Sequence, residues 1–307
     1  ARLAWVPRRA GERGAVEAGA LPTLLPGGRP LDDPEARVDI AAAWSIDSLP
    51  GMPGRDTSGM LTALADGLLA GLVVGGVEIA DLPDPVAARE AIAGAGFVVS
   101  LEVRRSEITE LADIVFPVAP PVEKAGTFVT WEGRERPFPA VLADTAALSD
   151  AAVLDAVAEE HDVRLGLRHV DAVRAELREI GAWDGARPAA PAVTAAEPPQ
   201  PESGQAVLAT WRLMLDAGRG QDGEPHLAGT ARNPRARISA ATADEIGVAD
   251  GDPITVGSAA GSITVPVRIT AMPDRVVWVP ENSPGSQVHV DLAVGAGSLV
   301  TLTGGEA

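Results

Sequence analysis

The segment 186–204, ARPAAPAVTAAEPPQPESG, constrains the fold more than any other part of this 307-residue chain. Its prolines remove backbone donors and fix φ, and its small residues bury almost nothing, so neither helix nor strand persists there. The chain therefore cannot close around one continuous core. It divides into a region 1–185, an extended linker 186–204 and a region 205–307. At about 100–200 residues per domain, each region is long enough for one.

The two regions have different periodicities. Before the linker, helical and strand patterns alternate. Residues 57–70, TSGMLTALADGLLA, carry apolar side chains at helical spacing, with Thr57 or Ser58 as N-cap. Residues 71–76 form a short apolar run closed by Gly75 and Gly76, the pattern of a buried parallel strand. A helix over 85–95 follows, with Pro85 suited to its first turn after Asp84. Strands are predicted at 97–101 and 114–118, and helices at 146–160 and 170–180. Strand, helix, strand with short connections is the order of a parallel α/β sheet. After the linker come short β-prone runs at 207–210, 253–257, 262–269 and 276–279, split by Gly and Asp turns, with one short helix at 242–246. Many short strands with few helices point to a small barrel.

Composition removes several functions. The chain has no cysteine, which excludes disulfides, thiolate-held iron–sulfur clusters and Cys-based zinc sites within it. With 25 basic and 43 acidic residues its net charge is −18, the wrong sign for a phosphate backbone, so no nucleic acid is expected as a partner. The longest apolar stretch, 61–77, is interrupted by Asp66 and falls short of the about 18 residues a spanning helix requires, so no direct membrane insertion is expected. The opening residues lack the apolar stretch of a secretory leader, which implies a cytoplasmic location.

Three segments carry a resemblance. Residues 107–136, EITELADIVFPVAPPVEKAGTFVTWEGRER, resemble the molybdopterin oxidoreductase family at Glu107, Ala112-Asp113, Pro117, Glu123, Gly126-Thr127 and Glu132-Gly133-Arg134. Residues 226–257, with the Gly251-Asp252 turn and the helix 243–246, resemble the dinucleotide-binding domain of that family. The likeness continues through Gly261-Ser262 and the run Val279-Pro280-Glu281-Asn282-Ser283-Pro284-Gly285. The opening, Trp5-Val6-Pro7-Arg8-Arg9 through Gly14-Ala15 and then Leu25-Pro26-Gly27-Gly28-Arg29-Pro30, is similar to the branch of the superfamily recruited into respiratory complex I, as part of its large iron–sulfur subunit.

The resemblance implies a parallel-sheet α/β domain followed by a small double-psi β-barrel domain. It implies no catalytic residue and no cofactor in this segment, with iron–sulfur clusters in a preceding N-terminal part of the subunit and FMN in a partner subunit. Its partners would be other peripheral-arm subunits of complex I, on the cytoplasmic side of the bacterial plasma membrane. The alternative is a fragment of an active molybdoenzyme, such as a formate dehydrogenase or nitrate reductase, holding a pterin dinucleotide. A third reading is a free-standing acidic interaction module.

Residues for a relict pocket can be named. In catalytic relatives the strand ending near Gly75-Gly76 leads into a Gly-rich turn with Asn-Pro against the pterin. Here it leads to Val77-Glu78-Ile79-Ala80-Asp81, and the two carboxylates oppose a diphosphate unless a cation intervenes. Thr230 and Asn233, beside Arg232, Arg235 and Arg237, offer a phosphate clamp, but the simpler reading is a loop pairing with a neighbour's carboxylates. Asn282, Ser283 and Gln287 complete the set, and turn chemistry alone also explains them. His161, His169, His226 and His289 lack metal-ligand spacing. The tryptophans at 5, 44, 131, 183, 211 and 278 are scattered, which fits core or junction packing better than a stacking surface.

Overall fold

The computed structural model describes residues 11–142, 145–187 and 197–304. Residues 1–10 of the opening motif and 188–196 of the linker lie outside them. The chain forms two compact units, Ala1–Val77 with Ala91–Ala192, and Glu78–Glu90 with Val193–Ala307.

The first unit is built on a three-stranded parallel sheet in the order Leu72–Gly75, Val98–Glu102, Ile114–Pro117. The central strand is almost wholly buried, as parallel strands covered on both faces are. The edge strand Leu72–Gly75 is not: Val74 is buried but Val73 is 61% exposed, so the expectation of a fully buried strand there fails. An edge strand has a neighbour on one side only, and this one is covered on one face. Asp113 locks the sheet, because its carboxylate accepts from Val98 N at 2.7 Å at the start of the central strand. Helix Asp150–Glu159, capped by Ser149, supplies Val153 to a core with Leu101 and Val118.

Local signals explain most boundaries. Helix Thr57–Ala65 is capped at least one residue before the expected position: Asp56, not Thr57 or Ser58, accepts from Gly59 N at 2.7 Å. It stops before the left-handed Gly67. Helix Pro34–Ala43, which the periodicity did not announce, begins with Asp33 accepting from Glu35 N and Ala36 N and with proline in the first turn. Helix Val170–Ile180 lies where the sequence puts it.

Arg29 ties distant parts of this unit together. It is 4% exposed and bonds Asp39, Pro26 O, Ile180 O and Gly181 O, with its guanidinium 5.6 Å from the Trp183 ring centre. Two of those acceptors lie at the end of helix Val170–Ile180, where carbonyls lack intrahelical donors. A planar five-donor group satisfies such a set and an ammonium does not.

The second unit holds a closed six-stranded barrel. Around it run Pro253–Gly257, Ser262–Ile269, Ala236–Ile238, Val276–Pro280, Gln205–Trp211 and Leu299–Gly304, which pairs back onto Pro253–Gly257. Two pairings are parallel, Ser262–Ile269 with Ala236–Ile238 and Val276–Pro280 with Gln205–Trp211. Alternation sends Leu208, Ile238, Ile254, Val256, Val267, Val277 and Val279 inward, where each is at most 1% exposed. Each such side chain contributes about 1.5–3 kcal/mol. Helix Ala240–Ile246 is capped by Ser239, whose hydroxyl also donates to Asp274 at 2.6 Å, and ends at the left-handed Gly247.

The end of the expected linker belongs to this barrel unit. Arg275 donates to Pro201 O, Gly204 N donates to Glu245, and Leu302 N donates to Gly204 O. Among the described residues no helix is long and apolar enough to cross a membrane.

Candidate functional site

The resemblance motifs turn out to specify the fold. Gly126 lies opposite Phe138 in the hairpin Gly126–Val129/Glu135–Phe138, and a Cβ there would sit 2.5 Å from the Phe138 ring. Arg174 fixes the same strand, donating to Gly126 O at 2.6 Å and to Thr127 Oγ1 at 3.1 Å. Glu132-Gly133-Arg134 is the hairpin turn, with Gly133 at φ +83° and Thr130 N donating to Arg134 O. Glu107 opens the helix Glu107–Leu111, which is closed by a reciprocal Ser106–Thr109 capping box.

Gly75 and Gly76 lie at the carboxyl edge of the parallel sheet, the edge at which α/β sheets receive ligands. Gly76 is left-handed at φ +63°, with open space where a Cβ would go. At the same edge a cleft of 530 Å³ opens beside Glu102, Arg104, Arg105, Thr109, Glu110 and Pro117. The sequence reading passed over it, although two arginines directly after a predicted strand are a usable signal.

The remaining pocket candidates are all in the barrel unit. Asn282 and Gln287 face each other in a two-residue hairpin, and Gln287 Nε2 donates to Asn282 Oδ1 at 3.0 Å. Ser283 is 1% exposed and its hydroxyl has no hydrogen-bond partner among the described residues. Thr230 and Asn233 are exposed, and the Thr230 hydroxyl donates to Leu227 O. Pro234 sits beside Gly285, so this loop and the hairpin are neighbours.

The dominant feature of that neighbourhood is a charge network. Glu78 and Asp81, which the sequence placed against an incoming diphosphate, are held by Arg219 and Arg212 respectively. Arg212 also binds Asp216 at 3.2 Å and approaches Glu281, next to Asn282, at 3.6 Å. His289 Nε2 lies 4.0 Å from the same Glu281 carboxylate. His289 stands in the π-helical turn Val288–Leu292, which rejoins the hairpin where Gln287 N donates to Asp291. Arg212 and Arg219 are thus matched to carboxylates of this chain, and the Asn282–Gln287 amides are partly matched to each other. A diphosphate brought to this network would meet the carboxylates of Asp81, Asp216 and Glu281. The Arg212–Arg219 network by itself offers a poor seat for a diphosphate.

The other candidates divide. Arg237 is in the barrel strand Ala236–Ile238, with its guanidinium 5.3 Å from the Trp278 ring centre, while Arg232 and Arg235 are on the exposed loop before it. Of the core or junction packing expected for the tryptophans, core packing does not hold. None of the five within the described residues is buried, and Trp44, Trp131 and Trp211 are exposed, because each sits at an element end or on an outward strand face. Trp5 lies outside the described residues. Among the described residues no group of three or more His, Cys, Asp or Glu is placed to hold a metal.

Comparison with known proteins sets the class first. Residues 215–304 match the Molydopterin dinucleotide binding domain. The fold of the chain is similar to that of acetylene hydratase from Pelobacter acetylenicus, with TM-score 0.54 at 13% identity, over 91% of this chain and 50% of the hydratase. A parallel-sheet α/β unit followed by a double-psi β-barrel is therefore the architecture of this class. At sequence level the chain is 58% identical to the G subunit of NADH-quinone oxidoreductase from Mycobacterium bovis, over 99% of its length and 38% of the relative's. It is 54% identical to the protein of the same name from Streptomyces coelicolor, over 98% of its length and 36% of the relative's. Over nearly its whole length the chain is similar to NADH-quinone oxidoreductase G subunits, and it spans well under half of the relatives it matches.

Proposed function

We propose that this chain is the structural, cofactor-free portion of the large iron–sulfur subunit of an NADH-quinone oxidoreductase. It holds neighbouring peripheral-arm subunits in place while electrons pass through clusters elsewhere. The observation that carries this reading is the matching of Arg212 and Arg219 to Asp81, Asp216 and Glu78, which commits these two guanidiniums within the chain. The absence of cysteine removes thiolate-ligated clusters from this portion, so they belong to the rest of the subunit, and FMN belongs to a partner subunit. The complex acts at the cytoplasmic face of the membrane, and this portion is peripheral to it.

The molybdoenzyme alternative draws on the match of residues 215–304 to the Molydopterin dinucleotide binding domain and, in the structure, on the orphaned buried hydroxyl of Ser283, a polar atom of the kind a bound group would satisfy. A single hydroxyl does not offset four nearby carboxylates, and the structural reading stands ahead of it.

The test is purification of the full-length subunit, affinity-tagged, from membranes solubilised in mild detergent. NADH oxidation by an artificial acceptor is expected to co-elute with it. A monodisperse subunit without partners and without that activity would make the chain a free-standing module and contradict the proposal.

A further inference from the structure

The outward face of the barrel carries a basic and aromatic row that the charge network does not use. Register places Arg268, Arg237, Trp278 and Ala209 side by side across four strands. Trp211, two residues beyond Ala209 on the same face, is 57% exposed, and Met214 after it is 96% exposed. Arg232 and Arg235 extend the row on the adjoining loop. Within this set Arg268 pairs with Asp250 at 3.0 Å, and Arg235 acts on the same carboxylate. Arg232 and Arg237 have no carboxylate partner among the described residues, although the chain has 43 acidic side chains.

Arginines without a carboxylate partner make no ion pair within the free chain, and together they form a basic patch on a molecule of net charge −18. Trp, Arg and Met are the residues enriched where proteins bury one another, and an arginine stacked on an indole is already oriented for a planar carboxylate. We infer that this face, centred on Arg237 and Trp278, docks the carboxylate-rich surface of a neighbouring protein chain. The inference rests on the reading of the chain as part of a larger complex, and adds where and by what chemistry it docks. Charge complementarity selects the occupant: an acidic surface gains from these guanidiniums, and a basic or wholly apolar one does not.

The sequence provides an unusually clean probe. Lys124 is the single lysine of the chain and pairs with Asp150 at 2.5 Å, so a zero-length carbodiimide, which joins amines to carboxylates in contact, has one internal reaction to report here. Arg237→Lys, and separately Arg235→Lys, keep the charge and add an amine on the face. In the purified complex containing the full-length variant subunit, mass spectrometry is expected to find residue 237 or 235 joined to an Asp or Glu of another subunit, alongside the Lys124–Asp150 link. Arg237→Glu should lower the share of subunit migrating with the complex about tenfold, the loss of one interface anchor.

The internal link without any intersubunit link from either lysine would overturn the inference and leave the proposed function intact. A nucleotide co-purifying with the wild type and lost in Arg237→Glu would overturn it in favour of phosphate binding. A wild-type subunit that migrates without NADH-oxidising activity would remove the proposed function, and this inference with it.

Discussion

Arg212, just beyond the barrel strand Gln205–Trp211, binds Asp81, which lies 131 residues earlier in the chain. The same guanidinium holds Asp216, and Arg219 holds Glu78 in the same way. Residues 78–90 belong to the barrel unit, and these two guanidiniums are committed to its carboxylates.

Breaking that commitment should cost stability. The Asp81 and Asp216 side chains are only 13% and 12% exposed, so Arg212→Ala removes a bound guanidinium from two poorly solvated carboxylates. A loss of about 2 kcal/mol is expected, below the value for a fully buried pair because Arg212 keeps some solvent contact. Chemical denaturation of Arg212→Ala, Asp81→Asn and the double variant measures it. The double variant should be less destabilised than the sum of the singles, and additivity would mean the pair contributes nothing.

Arg29 makes a sharper case. Arg29→Ala leaves the carbonyls of Pro26, Ile180 and Gly181 without a donor in a buried site and should cost about 3–5 kcal/mol. Arg29→Lys restores the charge but not the fork, and should recover only part of the loss in the same denaturation series. Full recovery by lysine would show that charge alone matters there.

Acid should act on the barrel through two carboxylates. The backbone N–H of Ile269, followed by the Arg268 charge, holds Asp250 below its ordinary 3.8, and hydrogen bonds from Arg275 and then Ser203 hold Glu245 below its ordinary 4.5. A carboxyl depressed in the fold stabilises above its unfolded value and loses that contribution as pH falls through the folded one. NMR titration should therefore place both midpoints under 3.8 and 4.5, and Asp250→Asn should flatten the acid limb of the unfolding profile below 3.8.

Much of this architecture is legible in the sequence, and the residues say why. Pro253–Gly257 and Ser262–Ile269 alternate cleanly and are bounded by Gly and Asp, so their limits are read to the residue. Ala236–Ile238 is too short to show a period, and Leu299–Gly304 alternates with threonine and glycine rather than with charge. Helix Pro34–Ala43 has only Val38 and Ile40 as large apolar side chains, so it shows no clear period, and the sequence did not announce it. The candidate site was half legible. Asn282 and Gln287 are five residues apart and meet, and the carboxylates at Glu78 and Asp81 flagged the absence of a phosphate turn. Their partners Arg219 and Arg212 were hidden, because a pairing across more than a hundred residues depends on closure of the barrel and leaves no local pattern.

The most direct test of the central claim is the pterin content of the intact enzyme. The complex containing the full-length subunit would be purified, its pterin released and oxidised to the fluorescent form, and molybdenum, tungsten and iron determined on the same sample. The account predicts iron without pterin, molybdenum or tungsten. Stoichiometric pterin dinucleotide whose retention depends on Ser283, lost in Ser283→Ala, would contradict it and make the barrel a working cofactor site.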